Sequence, residues 1–271
     1  MSELPLRVVV TRPAAQADKW RMQLDAAGIA SVAVPLLELR AVSAPDQLRA
    51  IKNIVLDFDL YQKAIFVSQN AVDFALQWLE DYWPQLPLGI EYFAVGDATA
   101  RHLQHHGLTV SALTAAASGA MNSESLLEAE ELQQVNGEKI VIFRGCGGRG
   151  YMGEILRQRG ASVSYCEMYE RLLPEQAAQS LRQRFATEAD WQYRNIIALH
   201  SGESLQHYQQ VLEQLEQNTE TVSLAQRLRQ LPLLVPGERV AQLAGDAGFA
   251  PVHVAENATD KSMLSALSQL N

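Results

Sequence analysis

VVVTRPAAQADKWRMQLDAAGIASVAVPLLE (Val8–Glu38) and IVIFRGCGGRGYMGEILRQRGASVSYCEMYE (Ile140–Glu170) align without a gap at a shift of 132 residues. Val9 meets Val141, Arg12 meets Arg144, Leu24 meets Leu156, Gly28 meets Gly160 and Glu38 meets Glu170. These five identities mark a strand, an Arg at its C-terminal end, a core position, a helix stop and a final acid. Each stretch reads as apolar run, polar turn, helical period, glycine and apolar run, the pattern of a β-α-β unit. The helical parts are Ala14–Ala27 and Gly148–Arg159. Gly28 and Gly160 stand where a left-handed residue ends a helix.

Two further pairs follow in order. Phe66–Ala71 resembles Ala198–Glu203, and Phe93–Thr99 resembles Leu233–Arg239, each a strand running into a helix. Strands are expected at Arg7–Val10, Ser31–Val34, Ala64–Val67, Glu91–Val95, Thr109–Leu113, Lys139–Phe143, Ser162–Tyr165, Asn195–Leu199, Leu233–Val235 and Pro251–Val254. Continuous apolar strands alternating with helices predict parallel sheets covered on both faces. The expected class is α/β: two similar parallel-sheet α/β domains joined by a two-stranded connector. Pro35–Leu39 and Glu167–Leu172 are extended segments at equivalent places, bounded by Pro45 and Pro174, and would pair as that antiparallel connector. One domain then comprises 1–34 and 175–271, the other 46–164, with 35–45 and 165–174 as linker.

The whole chain supports this division. Its 271 residues suffice for two cores. Lys and Arg total 22 against 31 Asp and Glu, a net charge of −9 that argues against nucleic acid or an anionic membrane as partner. Cys146 and Cys166 form no CxxC or Cys/His cluster. MSELPLRVVV does not read as a signal peptide, and no run approaches the roughly 18 apolar residues of a membrane span. The expected location is the cytoplasm.

Gly145–Gly150 satisfies GxGxxG, follows a strand, opens a helix and has Glu167 some 20 residues on, the features of a dinucleotide fingerprint. The matching turn Thr11–Ala15 has no glycine, and a turn offering backbone N–H groups to some other anion fits as well. Ser68, Ser201 and Asp97 are candidate N-caps. Ser123–Ser125 and Asn257–Thr259 precede helices expected over Leu126–Leu132 and Met263–Leu270. Taken singly these residues are caps. Taken together, turns at the carboxyl ends of parallel strands make a ligand-binding rim.

Other candidates are weaker. His102, His105 and His106 have helical spacing, but no carboxylate or Cys joins them in the sequence, and they read as a solvated helix face rather than a metal site. His200 ends a strand beside Ser201 with no assignable triad partner. Cys146 sits among N–H donors that would lower its pKa.

In order and spacing, these segments resemble the uroporphyrinogen-III synthase family. The resemblance rests on Val9–Pro13, Pro35–Glu38, Phe66–Val72, Val95–Ala100, Ser123–Leu127, Arg144–Arg149, Met168–Arg171 and Asn257–Asp260. It implies cofactor-free, metal-free closure of linear hydroxymethylbilane to uroporphyrinogen III, with loss of water and inversion of ring D, in a cleft between two domains. It maps the family's cleft tyrosine onto Tyr169. It also implies substrate contacts at Thr11, Arg12, Ser68, Gln69, Asn70, Gly96, Thr99, Ser123, Arg144, Gly145, Gly147, Gly148, Arg149, Ser201, Gly202, Ser204, Pro236, Gly237 and Arg239. The partner is then a tetrapyrrole small molecule, taken by a monomer in transient contact with the preceding bilane-forming enzyme. Two other classes remain open: a two-domain binding protein or regulator for an anionic metabolite, and a nicotinamide-dependent enzyme using Gly145–Gly150.

Overall fold

Val8, Val9 and Val10 have no solvent exposure, because β1 (Leu6–Val10) is an interior strand of a parallel sheet. In the computed structural model, which describes residues 4–111 and 123–270, that sheet runs β10 (Val252–Ala255), β9 (Leu233–Pro236), β8 (Arg194–Ala198), β1, β2 (Ala30–Ala33). All adjacent pairs are parallel. Alternate residues separate its two faces. Val9, Ile197, Leu233 and Val235 pack with helices α7 (Ala177–Arg184), α8 (Gly202–Glu216), α9 (Val222–Arg229) and α10 (Gly237–Asp246). Val8, Val10, Ile196 and Leu234 pack with α1 (Ala14–Ala26) and α11 (Asp260–Ser268).

The second sheet runs β5 (Glu91–Ala94), β4 (Lys63–Phe66), β6 (Lys139–Gly145), β7 (Ser162–Leu172), β3 (Glu38–Ala41). From β5 to β7 it is parallel. Ile65, Phe93, Ile140 and Ile142 share one cluster with Met152 and Leu156 of α6 (Tyr151–Gln158). The side chains of Phe66 and Phe143 stack at 4.8 Å, with Phe58 edge-on at 5.9 Å from Phe143. Helices α2 (Pro45–Leu56), α3 (Gln69–Tyr82) and α4 (Asp97–His105) complete this part of the chain. Two compact units result: Met1–Leu39 with Leu172–Asn271, and Arg40–Arg171.

The repeat seen in the sequence is visible in the strand orders. β1 and β2 correspond to β6 and β7, β8 to β4, and β9 to β5, so β9-β8-β1-β2 in one sheet matches β5-β4-β6-β7 in the other. The chain enters this shared pattern at different points, which is a circular permutation. In each sheet the strand order reverses at the same element pair, β8/β1 and β4/β6, the position where open α/β sheets bind ligands.

Three local expectations change. β7 does not stop at Tyr165 but continues to Leu172, since β6 offers it a partner as far as Gly145. The helix expected over Leu126–Leu132 is α5 (Ser123–Leu126) plus a single 3-10 turn at Glu130–Leu132. Arg159 Nη1 donates to the carbonyls of Leu127 and Leu132, at 2.9 and 2.8 Å, and so supplies partners to two carbonyls of the interrupted helix. Of the strand expected at Thr109–Leu113, Val110 forms one bridge to Tyr92, and residues 112 and 113 lie outside the described residues. Gly28 and Gly160 take the expected left-handed backbone, at φ 72° and 88°. No helix among the described residues is long and apolar enough to cross a membrane.

Candidate active site

At the β4/β6 reversal, the chain leaves β4 through Val67 and Ser68 into α3, and leaves β6 through Cys146–Gly150 into α6. A pocket of about 370 Å³ opens there. It is lined by Ser68, Ser123, Arg144, Gly145, Gly147, Gly148, Arg149 and Tyr169 of the expected residues, together with Val67, Glu124, Ile142, Tyr151, Met152, Tyr165 and Arg171.

Tyr169 owes its position to an irregularity in β7. Arg144 pairs with Glu167, but the next residue, Gly145, pairs with Tyr169, so Met168 is an extra residue in the ladder. The Tyr169 ring then lies over Gly145, where a Cβ would stand 2.7 Å from ring atom Cε2. Its other face stacks on Phe74 of α3 at 4.9 Å and 15°. The hydroxyl lies 3.0 Å from Ser68 Oγ. Ser68 caps α3 by accepting from the Ala71 N–H at 3.1 Å, which leaves its own proton free to pass toward the phenol oxygen.

Arg144 is the pocket's buried cation, only 6% exposed. Nη1 donates to the Arg149 carbonyl at 3.1 Å and Nε to the Gly145 carbonyl at 3.2 Å, with Glu167 Oε1 at 3.5 Å. The guanidinium lies 4.8 Å from the centroid of the Tyr165 ring, and the Tyr165 hydroxyl donates to the Gly150 carbonyl at 2.9 Å. Nη2 is buried without a protein hydrogen-bond partner. A buried guanidinium N–H without an acceptor is costly, and a ligand carboxylate would satisfy it.

The glycines of the GxGxxG stretch serve this arrangement. A Cβ at Gly148 would stand 2.0 Å from Arg144 Nη2, and beyond the stretch, in α6, one at Gly153 would stand 2.1 Å from the Tyr165 hydroxyl. Gly147 holds φ 72°. Within the stretch, Gly145 and Gly148 are needed to accommodate the protein's own Tyr169 and Arg144, a packing reason for glycine that requires no dinucleotide. Gly148→Ala should therefore displace the guanidinium and raise KM roughly threefold to tenfold, about 0.7–1.4 kcal/mol of binding, with kcat nearly unchanged. Steady-state kinetics on the folded variant checks this. The expectation for Cys146 is also corrected: partial burial, Glu167 and Glu170 push its thiol pKa up rather than down.

The remaining expected residues sit at other strand ends. Gly96, at φ 89°, caps α4 in place of Asp97, which is the first helical residue. Gln69 donates to the Ala98 carbonyl at 3.2 Å, and Thr99 is buried in the first turn of α4. Asn70 stands in the first turn of α3. These four do not line the pocket. In the other unit, Thr11 Oγ1 donates to the Ala198 carbonyl at 2.7 Å across the β1/β8 reversal. Arg12 binds the Asp260 carboxylate and, at 2.7 Å, the Ala258 carbonyl. Ser201 and Ser204 form a reciprocal capping box on α8 beside Gly202, and Pro236 caps α10 ahead of Gly237, at φ 70°, and the exposed Arg239. Arg12 and Arg144 thus occupy equivalent places, and each has an acid of its own unit beside it, Asp260 and Glu167.

His200, at the end of β8, is enclosed by Trp20, whose ring meets it edge-on at 4.8 Å. Burial, with the Arg12 charge added, pushes its pKa down to about 3. An unfolded His takes up its proton near pH 6.5, whereas native His200 stays neutral until about pH 3. Between these values the unfolded state binds more protons, so this residue's contribution falls as pH falls. Stability should drop by up to ~1.4 kcal/mol per pH unit below about pH 6. His200→Phe should flatten that slope in urea titrations.

Sequence reasoning missed Tyr165, the last residue of the expected strand, and Arg171, which lies on the part of β7 beyond it. It also missed Asp73, which places a carboxylate beside His102 and corrects the reading that none is near.

The family model described as uroporphyrinogen-III synthase HemD matches residues 18–265. The uroporphyrinogen-III synthase of Escherichia coli is 31% identical over 270 residues, covering 97% of this chain and all of the relative. That of Salmonella typhimurium is 32% identical over 271 residues, with the same coverage. Among solved structures, uroporphyrinogen-III synthetase from Helicobacter pylori aligns over 98% of this chain and 100% of that one, with a TM-score of 0.60 at 15% identity. A Thermus thermophilus uroporphyrinogen III synthase mutant aligns over 97% and 98%, with a TM-score of 0.54 at 16% identity. The structural likeness speaks for the fold, and the full-length sequence matches for descent: the chain belongs to the uroporphyrinogen-III synthase family.

Proposed function

We propose that this chain closes linear hydroxymethylbilane to uroporphyrinogen III, expelling water and inverting ring D, as a cytoplasmic monomer that needs no cofactor. The observation that carries this reading is the β4/β6 pocket, where a phenol and the unsatisfied Nη2 of a buried guanidinium share one lining. The substrate carries eight carboxylates and one hydroxymethyl group. Arg144 Nη2 and the N–H groups around Gly147–Arg149 suit a carboxylate. Tyr169 suits the departing hydroxyl.

The chemical order follows from the substrate. Electron donation from the adjoining pyrrole nitrogen expels the hydroxyl as it takes a proton. The methylene carbon left as a cation is attacked by the bridge-bearing α-carbon of the terminal ring. The old bond from that carbon to the neighbouring ring's methylene then breaks, leaving the cation there. The terminal ring's free α-carbon attacks it and loses its proton, so that the ring ends inverted and the net loss is one water. Glu124, an acid of the pocket lining, has Arg149 Nη1 at 3.7 Å, and Glu167, outside the lining, has Arg144 Nε at 3.5 Å. They do not present an uncompensated negative field to the substrate's carboxylates.

Incubation with freshly generated hydroxymethylbilane, followed by chromatographic separation of the isomers, tests the reading. The III isomer is expected in excess, because spontaneous closure gives the I isomer. A product consisting only of the I isomer would point instead to an anion-binding protein without chemistry.

A further inference from the structure

We propose that Asp73, His102 and His106 form a binding site for a divalent transition-metal ion of the zinc class. His102 and His106 are four residues apart at the end of α4, so they share one helix face. Their ring centroids are 5.1 Å apart. Asp73 reaches them from α3, with Oδ1 2.5 Å from His102 Nε2. One ligand atom from each residue can be chosen so that all three lie within 4.8 Å of one another.

These separations suit the chemistry. Tetrahedral zinc with bonds of about 2.0–2.1 Å to nitrogen and oxygen holds its ligand atoms ~3.3 Å apart. The Asp73–His102 contact is tighter than that, and the widest permitted separation is looser, so side-chain rotation alone brings the three into place. The site is at the surface, with His102 partly buried and the other two exposed, so nothing in the core has to move. Two imidazoles with one carboxylate favour Zn²⁺, Cu²⁺ or Ni²⁺, whereas Mg²⁺ and Ca²⁺ require more oxygen donors. One position stays open to water. His105, whose ring is 6.4 Å from that of His106 and at right angles to it, is not part of the cluster.

The location gives the ion a structural role. Asp73 is one helical turn beyond the Ser68–Asn70 turn, and His102 is a similar distance beyond Gly96–Thr99. A bound ion would staple α3 to α4 behind the turns that open both helices, reinforcing the Gln69–Ala98 bond.

Calorimetric titration of tag-free protein with zinc chloride tests the proposal, alongside Co²⁺ titration read by its visible ligand-field absorption. One saturable site in the micromolar range is expected. Asp73→Asn, His102→Asn and His106→Asn should each weaken it by about tenfold or more, a loss that even outer-shell changes can reach, while His105→Asn leaves it within about twofold. All four residues are on the surface, and far-UV circular dichroism confirms that the variants fold. Absence of saturation at one equivalent in the unmodified protein would overturn the site without recourse to any variant. Undiminished binding in the His102→Asn/His106→Asn double variant would overturn it as well.

Discussion

Tyr169→Phe is expected to lower kcat by roughly tenfold to a few hundredfold, with the enzymatic product still the III isomer. A positioned proton donor contributes about 10²–10⁴-fold to departure of a poor leaving group. Pyrrole assistance already makes this departure easy, which places the expectation around and below the lower end of that range. The geometry favours a donor at this atom. The phenol is clamped between Gly145 and Phe74, and its oxygen lies 3.0 Å from Ser68 Oγ, so little freedom is lost when substrate arrives. Ser68 can return a proton as the phenol gives one up, so Ser68→Ala should cost less than Tyr169→Phe. Removing only the hydroxyl keeps the ring and its stacking, so KM should change little. Ring inversion depends on how the substrate is held, not on the proton, so the slower variant releases more bilane to close spontaneously as the I isomer. A full kcat in the folded variant would remove Tyr169 from this role and leave a bound water or a substrate carboxylate as the donor.

The features that were legible in the sequence are those written into local pattern. β1-α1-β2 and β6-α6-β7 could be read because strand, helix stop and following strand each carry their own residue signature, and repetition at a shift of 132 fixed their correspondence. Most of what was missed depends on a distant neighbour. The extra residue at Met168 exists only relative to β6, and it sets which side chain faces Gly145. Asp73 joins His102 across 29 positions of sequence. The Gly145–Gly150 stretch is a different case. A glycine that admits a pyrophosphate and one that admits Arg144 or Tyr169 are the same letter, and only the packed side chains tell them apart.

Trp20→Ala should lower the unfolding free energy by about 3–5 kcal/mol, the usual cost of emptying a buried aromatic site. Trp20 has no solvent exposure and packs among Val8, Val10, Leu24, Ile196 and Met263, where α1 and α11 cover one face of the β1/β8 reversal. Few of these neighbours can collapse into the space, since Val8, Val10 and Ile196 are fixed by the sheet. The indole also encloses His200, and Arg12 lies above it at 5.8 Å, tied to Asp260. Without the indole, water reaches the imidazole, and the His200 pKa should rise from about 3 toward the ordinary value near 6.5. Native and unfolded states would then take up this proton at similar pH, removing part of the acid sensitivity. The penalty of Trp20→Ala should therefore be largest near neutral pH and smaller by ~1 kcal/mol or more at about pH 5. Urea unfolding of both proteins at the two pH values, followed by far-UV circular dichroism, reads the difference. An equal penalty at both would mean that His200 is shielded by Arg12 and the end of β8 rather than by the indole.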